Sequence, residues 1–128
     1  MKPQSLAFLE KAGQALEKSR RVLEIDIPDE AGRHAYYAAF HAAQALIFQH
    51  TDKAAKSHNG VKSQFARLAK SEPLIERQLP AFLIKAYHLK SVADYETSAA
   101  NSITIAEAAS ALTMAEHFVA VIRDVLSR

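Results

Sequence analysis

The chain has no cysteine and no tryptophan, and its 128 residues include only three glycines and four prolines. Without cysteine there is no disulfide framework, no thiolate nucleophile and no Cys-ligated zinc, and a reducing compartment is tolerated; the expected location is the cytoplasm. So little glycine and proline leaves few residues for tight strand turns, which argues against a β-rich fold. An excess of one charge is also lacking. Sixteen basic against fourteen acidic side chains give +2 and a pI of about 8.9, which permits an anionic partner without requiring one. Met1-Lys2-Pro3-Gln4-Ser5 has no long apolar run of a signal peptide. No stretch is expected to approach the roughly 20 apolar residues that span a bilayer, so no membrane contact is expected. What is present is ordinary for a globular protein, 49% apolar and 23% charged, at a length that suits one domain over residues 1–128.

Apolar residues recur at helical spacing. Leu6, Leu9, Gly13, Leu16, Arg20 and Leu23 mark one face of a first helix from about Ser5 to Leu23. Asp26-Ile27-Pro28-Asp29-Glu30 supplies a potential N-cap, a first-turn proline and acids suited to the positive end of a second helix. That helix, running to about Gln49, is apolar almost all round. Ala31, Ala35, Ala38, Ala42 and Ala45 form a small-residue stripe, and Tyr36, Phe40, Ala43 and Ile47 a bulkier one, so it should be the central element. Thr51 to Gly60 reads as a polar connection, followed by a short helix marked by Val61, Phe65 and Leu68. Pro73 and Pro80 bracket a turn before a fourth helix to Tyr95, and Thr97 to Ser102 reads as loop. Thr104-Ile105-Ala106-Glu107 fits a capping box opening the last helix, whose apolar face runs from Ala108 to Leu126. The expected fold is all-α, an antiparallel up-and-down bundle of about five helices.

Polar residues interrupt this pattern. Arg33, Tyr37, His41 and Gln44 follow at spacings of four, four and three along the second helix, and must be paired between helices or form a shared polar site. Tyr87, Lys90, Ser91 and Asp94 lie along one face of the fourth helix, with Lys90 and Asp94 spaced for an ion pair. The six histidines show no i, i+4 pair and no His-Glu-x-x-His segment, so no metal is expected. There is no Gly-rich phosphate loop and no nucleophile elbow, and no cofactor is expected. Lys53, Lys56, Lys62, Arg67 and Lys70 occur without an intervening acid, as either a solvated helix face or a surface facing phosphate.

Several segments together resemble the HEPN family of small helical proteins. Arg33-His34-Ala35-Tyr36-Tyr37-Ala38-Ala39-Phe40-His41-Ala42-Ala43 looks like its second-helix signature. Lys56-Ser57-His58-Asn59-Gly60-Val61 is similar to its Lys-Thr-His-Ser-Gly-Val segment, Ala93-Asp94-Tyr95-Glu96 to its Ala-Asp-Tyr-Glu segment, and Ala115-Glu116-His117-Phe118-Val119 to its last helix. The resemblance implies a bundle that dimerises, often encoded beside a minimal nucleotidyltransferase in a toxin–antitoxin or defence pair. Many active members are metal-independent RNases carrying Arg, four to six residues, then His. Histidine moves protons near neutral pH and arginine grips the phosphate as charge develops on it.

Here the motif is altered. Where the family branch reads Leu-Arg-x-x-Ala-Asp-Tyr, this chain has Leu89-Lys90-Ser91-Val92-Ala93-Asp94-Tyr95, with lysine in the arginine position and Tyr95 in the histidine position. Lysine lacks the bidentate fork, and a phenol titrating near pH ~10 is a poor base at neutrality. The expectation is therefore a non-catalytic or weakly active HEPN-type module that binds a nucleotidyltransferase, RNA or a nucleotide. Two alternatives are an RNase toxin using Lys90, Tyr95 and His41, and a self-associating structural bundle without a ligand. The expected binding residues are Arg33, Tyr37, His41, Lys90 and Asp94, and Arg33, His41, Lys90, Asp94 and Tyr95 are expected to converge on one polar cleft between the second and fourth helices.

Overall fold

A computed structural model describes residues 1–128 as five α-helices without a strand: α1 (Pro3–Glu24), α2 (Pro28–Thr51), α3 (His58–Ala69), α4 (Gln78–Tyr95) and α5 (Ile105–Ser127). A single 3₁₀ turn, Ala99–Asn101, lies between α4 and α5. The all-α bundle is as expected, and α2 is its axis, touching each of the other four helices. Ala35, Ala38, Ala39, Ala42, Ala43 and Ala45 are wholly buried on α2. Methyl-sized side chains let neighbouring backbones approach α2 closely. At one end of the core Phe118 of α5 stacks on Phe65 of α3 at 5.1 Å between ring centroids and lies 6.4 Å from Phe82 of α4.

The buried face of α1 is rotated from the expected one. Ser5, Leu9, Ala12, Ala15, Leu16 and Ser19 are buried, whereas Leu6 is 49% exposed and Arg20 reaches outward to Glu116 at 3.0 Å. Leu9 and Leu16 of the expected stripe are buried, while Leu6 and Arg20 turn away from the core. Against the alanine surface of α2, small residues pack more closely than leucines, and the Ser19 hydroxyl donates to the Ala31 carbonyl of α2 at 2.8 Å.

Asp26 is not the N-cap of α2. Its φ of 60° places it in the left-handed region, and it closes α1, donating its backbone N–H to Leu23 O at 3.0 Å while Ile27 donates to Val22 O at 2.9 Å. These are the paired bonds of a Schellman motif with aspartate in the glycine position. Helix α2 begins directly at Pro28 with no side-chain cap. Helix α3 starts earlier than Val61, because the Ser57 Oγ caps it by accepting from Gly60 N at 3.0 Å. The capping box at α5 forms as read, with Glu107 N donating to Thr104 Oγ1 at 3.0 Å and Thr104 N donating to Glu107 Oε1 at 3.1 Å.

Residues 99–127 include an 18-residue window of mean hydropathy 1.4, long and apolar enough by length and composition to cross a bilayer. This corrects the expectation that no stretch approaches that threshold. A core helix meets the same criterion, and α5 places Ala108, Leu112, Ala115, Phe118, Val119 and Ile122 in the bundle interior.

Candidate functional site: a neutralised ion cluster and an open polar groove on α2

Helix α2 carries polar side chains into two different clefts. On the α4 side, Asp94 accepts from Arg33 Nε at 2.6 Å and from Lys90 Nζ at 2.6 Å, and Arg33 Nη2 donates to the Ala93 carbonyl at 2.8 Å. Arg33 also pairs with Glu30, one turn earlier on α2. The side chains of Arg33, Lys90 and Asp94 are 24%, 22% and 20% exposed, so these pairs are partly shielded from water. Asp94 lies in the last turn of α4, where the helix dipole disfavours an anion. The hydrogen bonds from Lys90 and then Arg33 offset this, holding the Asp94 carboxyl below the usual carboxylate range, and Asp94 in turn raises Lys90. Two cations meet two carboxylates, leaving no unpaired charge in the cluster.

Beside it lies an aromatic group drawn from three helices. The His58 ring of α3 stacks on Tyr87 of α4 at 3.6 Å between centroids and 11° between planes. Its Nδ1 is 2.9 Å from the Tyr36 hydroxyl of α2, and Lys90 Nζ is 6.0 Å from the centre of the Tyr87 ring. Burial, reinforced by Lys62, holds His58 below its ordinary value, and burial pushes the Tyr36 phenol far up. Tyr87 lies on the polar face expected of α4, whereas no spacing in the sequence marks His58 or Tyr36 as site residues. The available signal was His58 in the Lys56–Val61 segment.

His41 turns the other way. Its Nδ1 meets Gln44 Oε1 at 2.8 Å, and Gln44 Nε2 donates to the Ala55 carbonyl at 2.7 Å. It lines a groove of about 190 Å³ between α1 and α2 with Lys11, Gln14, Lys18, His34 and Tyr37. An α-helix turns about 100° per residue, so each step of four drifts about 40° and two such steps carry His41 about 80° round from Arg33. Tyr37, between them, lies on the border, lining the groove while its phenol contributes to the raised value of Lys90. The expected five-residue convergence thus resolves into Arg33, Lys90 and Asp94 in one cluster and His41 in another cleft. Tyr95 is 81% exposed and makes no hydrogen bond.

No group of three His, Asp or Glu side chains is arranged to hold a metal ion. The basic run keeps Lys53, Lys56, Arg67 and Lys70 exposed on α3 and the loop before it, with Lys62 half-buried beside His58.

Fold and clefts define a class: a five-helix bundle organised round an alanine-rich second helix that is tied to the fourth by an Arg–Asp–Lys cluster. Within that class, residues 5–125 match the HEPN domain, and the chain belongs to the HEPN family. Two relatives from Methanocaldococcus jannaschii carry the names "Putative toxin MJ0605" and "Putative toxin MJ0142". The first is 33% identical over 120 residues, covering 94% of this chain and 87% of the relative. The second is 28% identical over 91 residues, covering 71% and 61%.

Proposed function

We propose that this protein is a toxin-like HEPN module, non-catalytic or weakly active as a nuclease, that engages a nucleotidyltransferase partner or nucleic acid as a dimer. The observation that carries this reading is the state of the altered motif. Lys90, in the family's arginine position, is bound to Asp94 at 2.6 Å, and Tyr95, in the histidine position, projects into solvent without an orienting partner. A general base needs a held geometry, and Tyr95, exposed and without a side-chain partner, lacks one. The names of the archaeal relatives support the toxin-like part of the reading.

One observation favours a second reading as a metal-independent RNase. The His58 imidazole, held below its ordinary value, stacks on Tyr87 at 3.6 Å, and the Lys90 ammonium lies 6.0 Å from the centre of the same ring, so a proton carrier and a cation share one aromatic neighbour. Incubating purified protein with single-stranded RNA separates the two. The proposed function expects little or no cleavage and the same trace in Lys90→Ala and His58→Ala. Robust cleavage abolished by either substitution would replace it with the RNase reading. Absence of cleavage, of RNA binding and of association with a co-expressed nucleotidyltransferase would leave a structural bundle.

A further inference from the structure

The α1–α2 groove differs in kind from the α2–α4 cluster. Lys11 and Lys18, two turns apart on α1, project over it, and neither takes part in any ion pair of the molecule. No acidic side chain lines the groove; Glu30, which reaches His34 Nε2 at 3.7 Å, is already engaged by Arg33. Two unpaired ammonium groups and the Gln14 amide of α1 therefore face two imidazoles and a phenol of α2 across a concave surface. Its volume of about 190 Å³ is below the roughly 300–1,000 Å³ of clefts that bury a drug-sized ligand, and so suits a small polar group.

We propose that the α1–α2 groove binds a phosphate group, with Lys11 and Lys18 supplying the charge and His41 responding to its arrival by taking up a proton. The proton step follows from a fixed tautomer. Gln44 is oriented by its donation to Ala55 O, so its Oε1 faces His41 Nδ1, which must carry the hydrogen. His41 Nε2 is left as a lone pair with no hydrogen-bond partner. An incoming phosphate repels that lone pair, and binding draws a proton from solvent onto Nε2, turning it into a charged donor. Before binding, burial and then Lys11 of α1 hold the imidazole below its ordinary value, against the opposing effect of Gln44. His34 is held below its ordinary value by burial, Lys18 of α1 and Arg33, with Glu30 and Tyr37 its other neighbours on α2. Affinity therefore rises as pH falls through the histidine range.

This inference uses a cleft other than the altered motif, so its outcome is separable from the RNA-cleavage result. The test is calorimetric titration of the full chain with inorganic pyrophosphate at pH 6 and pH 8, in two buffers of different ionisation enthalpy. Binding is expected to be tighter at pH 6, with an observed enthalpy that depends on the buffer. Lys11→Gln with Lys18→Gln, both at exposed positions, should weaken it about tenfold or more, the effect of losing charged hydrogen-bond partners. His41→Gln should abolish the proton uptake, and Lys70→Gln should change nothing. Competition with a short single-stranded RNA then distinguishes sources. RNA that displaces pyrophosphate and loses affinity in the double variant identifies the backbone of a nucleic acid, and RNA that does neither identifies a small phosphate compound. No binding at millimolar pyrophosphate, or binding that the double variant leaves intact, overturns the proposal.

Discussion

Arg33 and Asp94, separated by 61 positions in sequence, are joined at 2.6 Å, and through them the central helix is fastened to the end of α4. Because each side chain is about four-fifths covered, removing either partner leaves the other poorly solvated. Arg33→Ala is expected to cost ~1.5–3 kcal/mol in urea unfolding, as for hydrogen bonds to charged groups. A double-mutant cycle with Asp94→Ala should return a coupling of at least ~0.5 kcal/mol; additive effects would show that the pair contributes nothing specific.

The same cluster sets an acid dependence. The Asp94 carboxyl is held below the ordinary carboxylate value by Lys90 first and Arg33 second, so its contribution is fully present above the unfolded value. It is lost as pH falls through the lower folded value. Asp94→Asn should therefore lower stability at neutral pH and flatten its decline below about pH 4. Parallel acid curves for both proteins would contradict this.

Helix α5 depends on its capping box. Thr104→Ala removes the acceptor for Glu107 N and should lower stability by about 0.5–2 kcal/mol, with Thr104→Ser retaining most of it. Chemical denaturation midpoints of the three proteins read this directly, and an unchanged midpoint in the alanine variant would refute the assignment.

Ser5 is buried in α1 with a hydroxyl that finds no partner. Ser5→Ala removes an unsatisfied polar group at little cost in volume, so the substitution is expected to be neutral or stabilising by ~1 kcal/mol. A loss of more than that in thermal unfolding would reveal a bond made by the hydroxyl in solution.

A symmetric dimer is expected from the family. Helix α4 offers a surface for it, since Ile84 is 53% exposed and Tyr87 and Tyr95 follow at helical spacing on its outer side. Light scattering at micromolar concentration should give twice the chain mass, and Ile84→Lys should shift it towards monomer. A monomer in the unsubstituted protein at that concentration would reject the dimer, and a dimer unaffected by Ile84→Lys would move its interface elsewhere.

The sequence by itself determined the helices and their centre. Alanine and aromatic positions of α2, the capping box at Thr104 and the i, i+4 spacing of Lys90 and Asp94 are local signals, read within one or two turns of chain. Family segments distributed from residue 33 onward carried the membership. Tertiary structure decided what periodicity cannot encode: how each helix is rotated about its own axis. Leucines suggested one face of α1, but the close approach permitted by the alanines of α2 selected the stripe through Ser5, Ala12 and Ser19. The polar row on α2 looked like one site, yet its angular drift sends Arg33 towards α4 and His41 towards α1. His58, Tyr36 and Tyr87 come from three helices and meet only because all three pack together. Local spacing fixes which residues share a helix face, whereas the partner that face meets depends on side-chain volumes and charges distant in sequence.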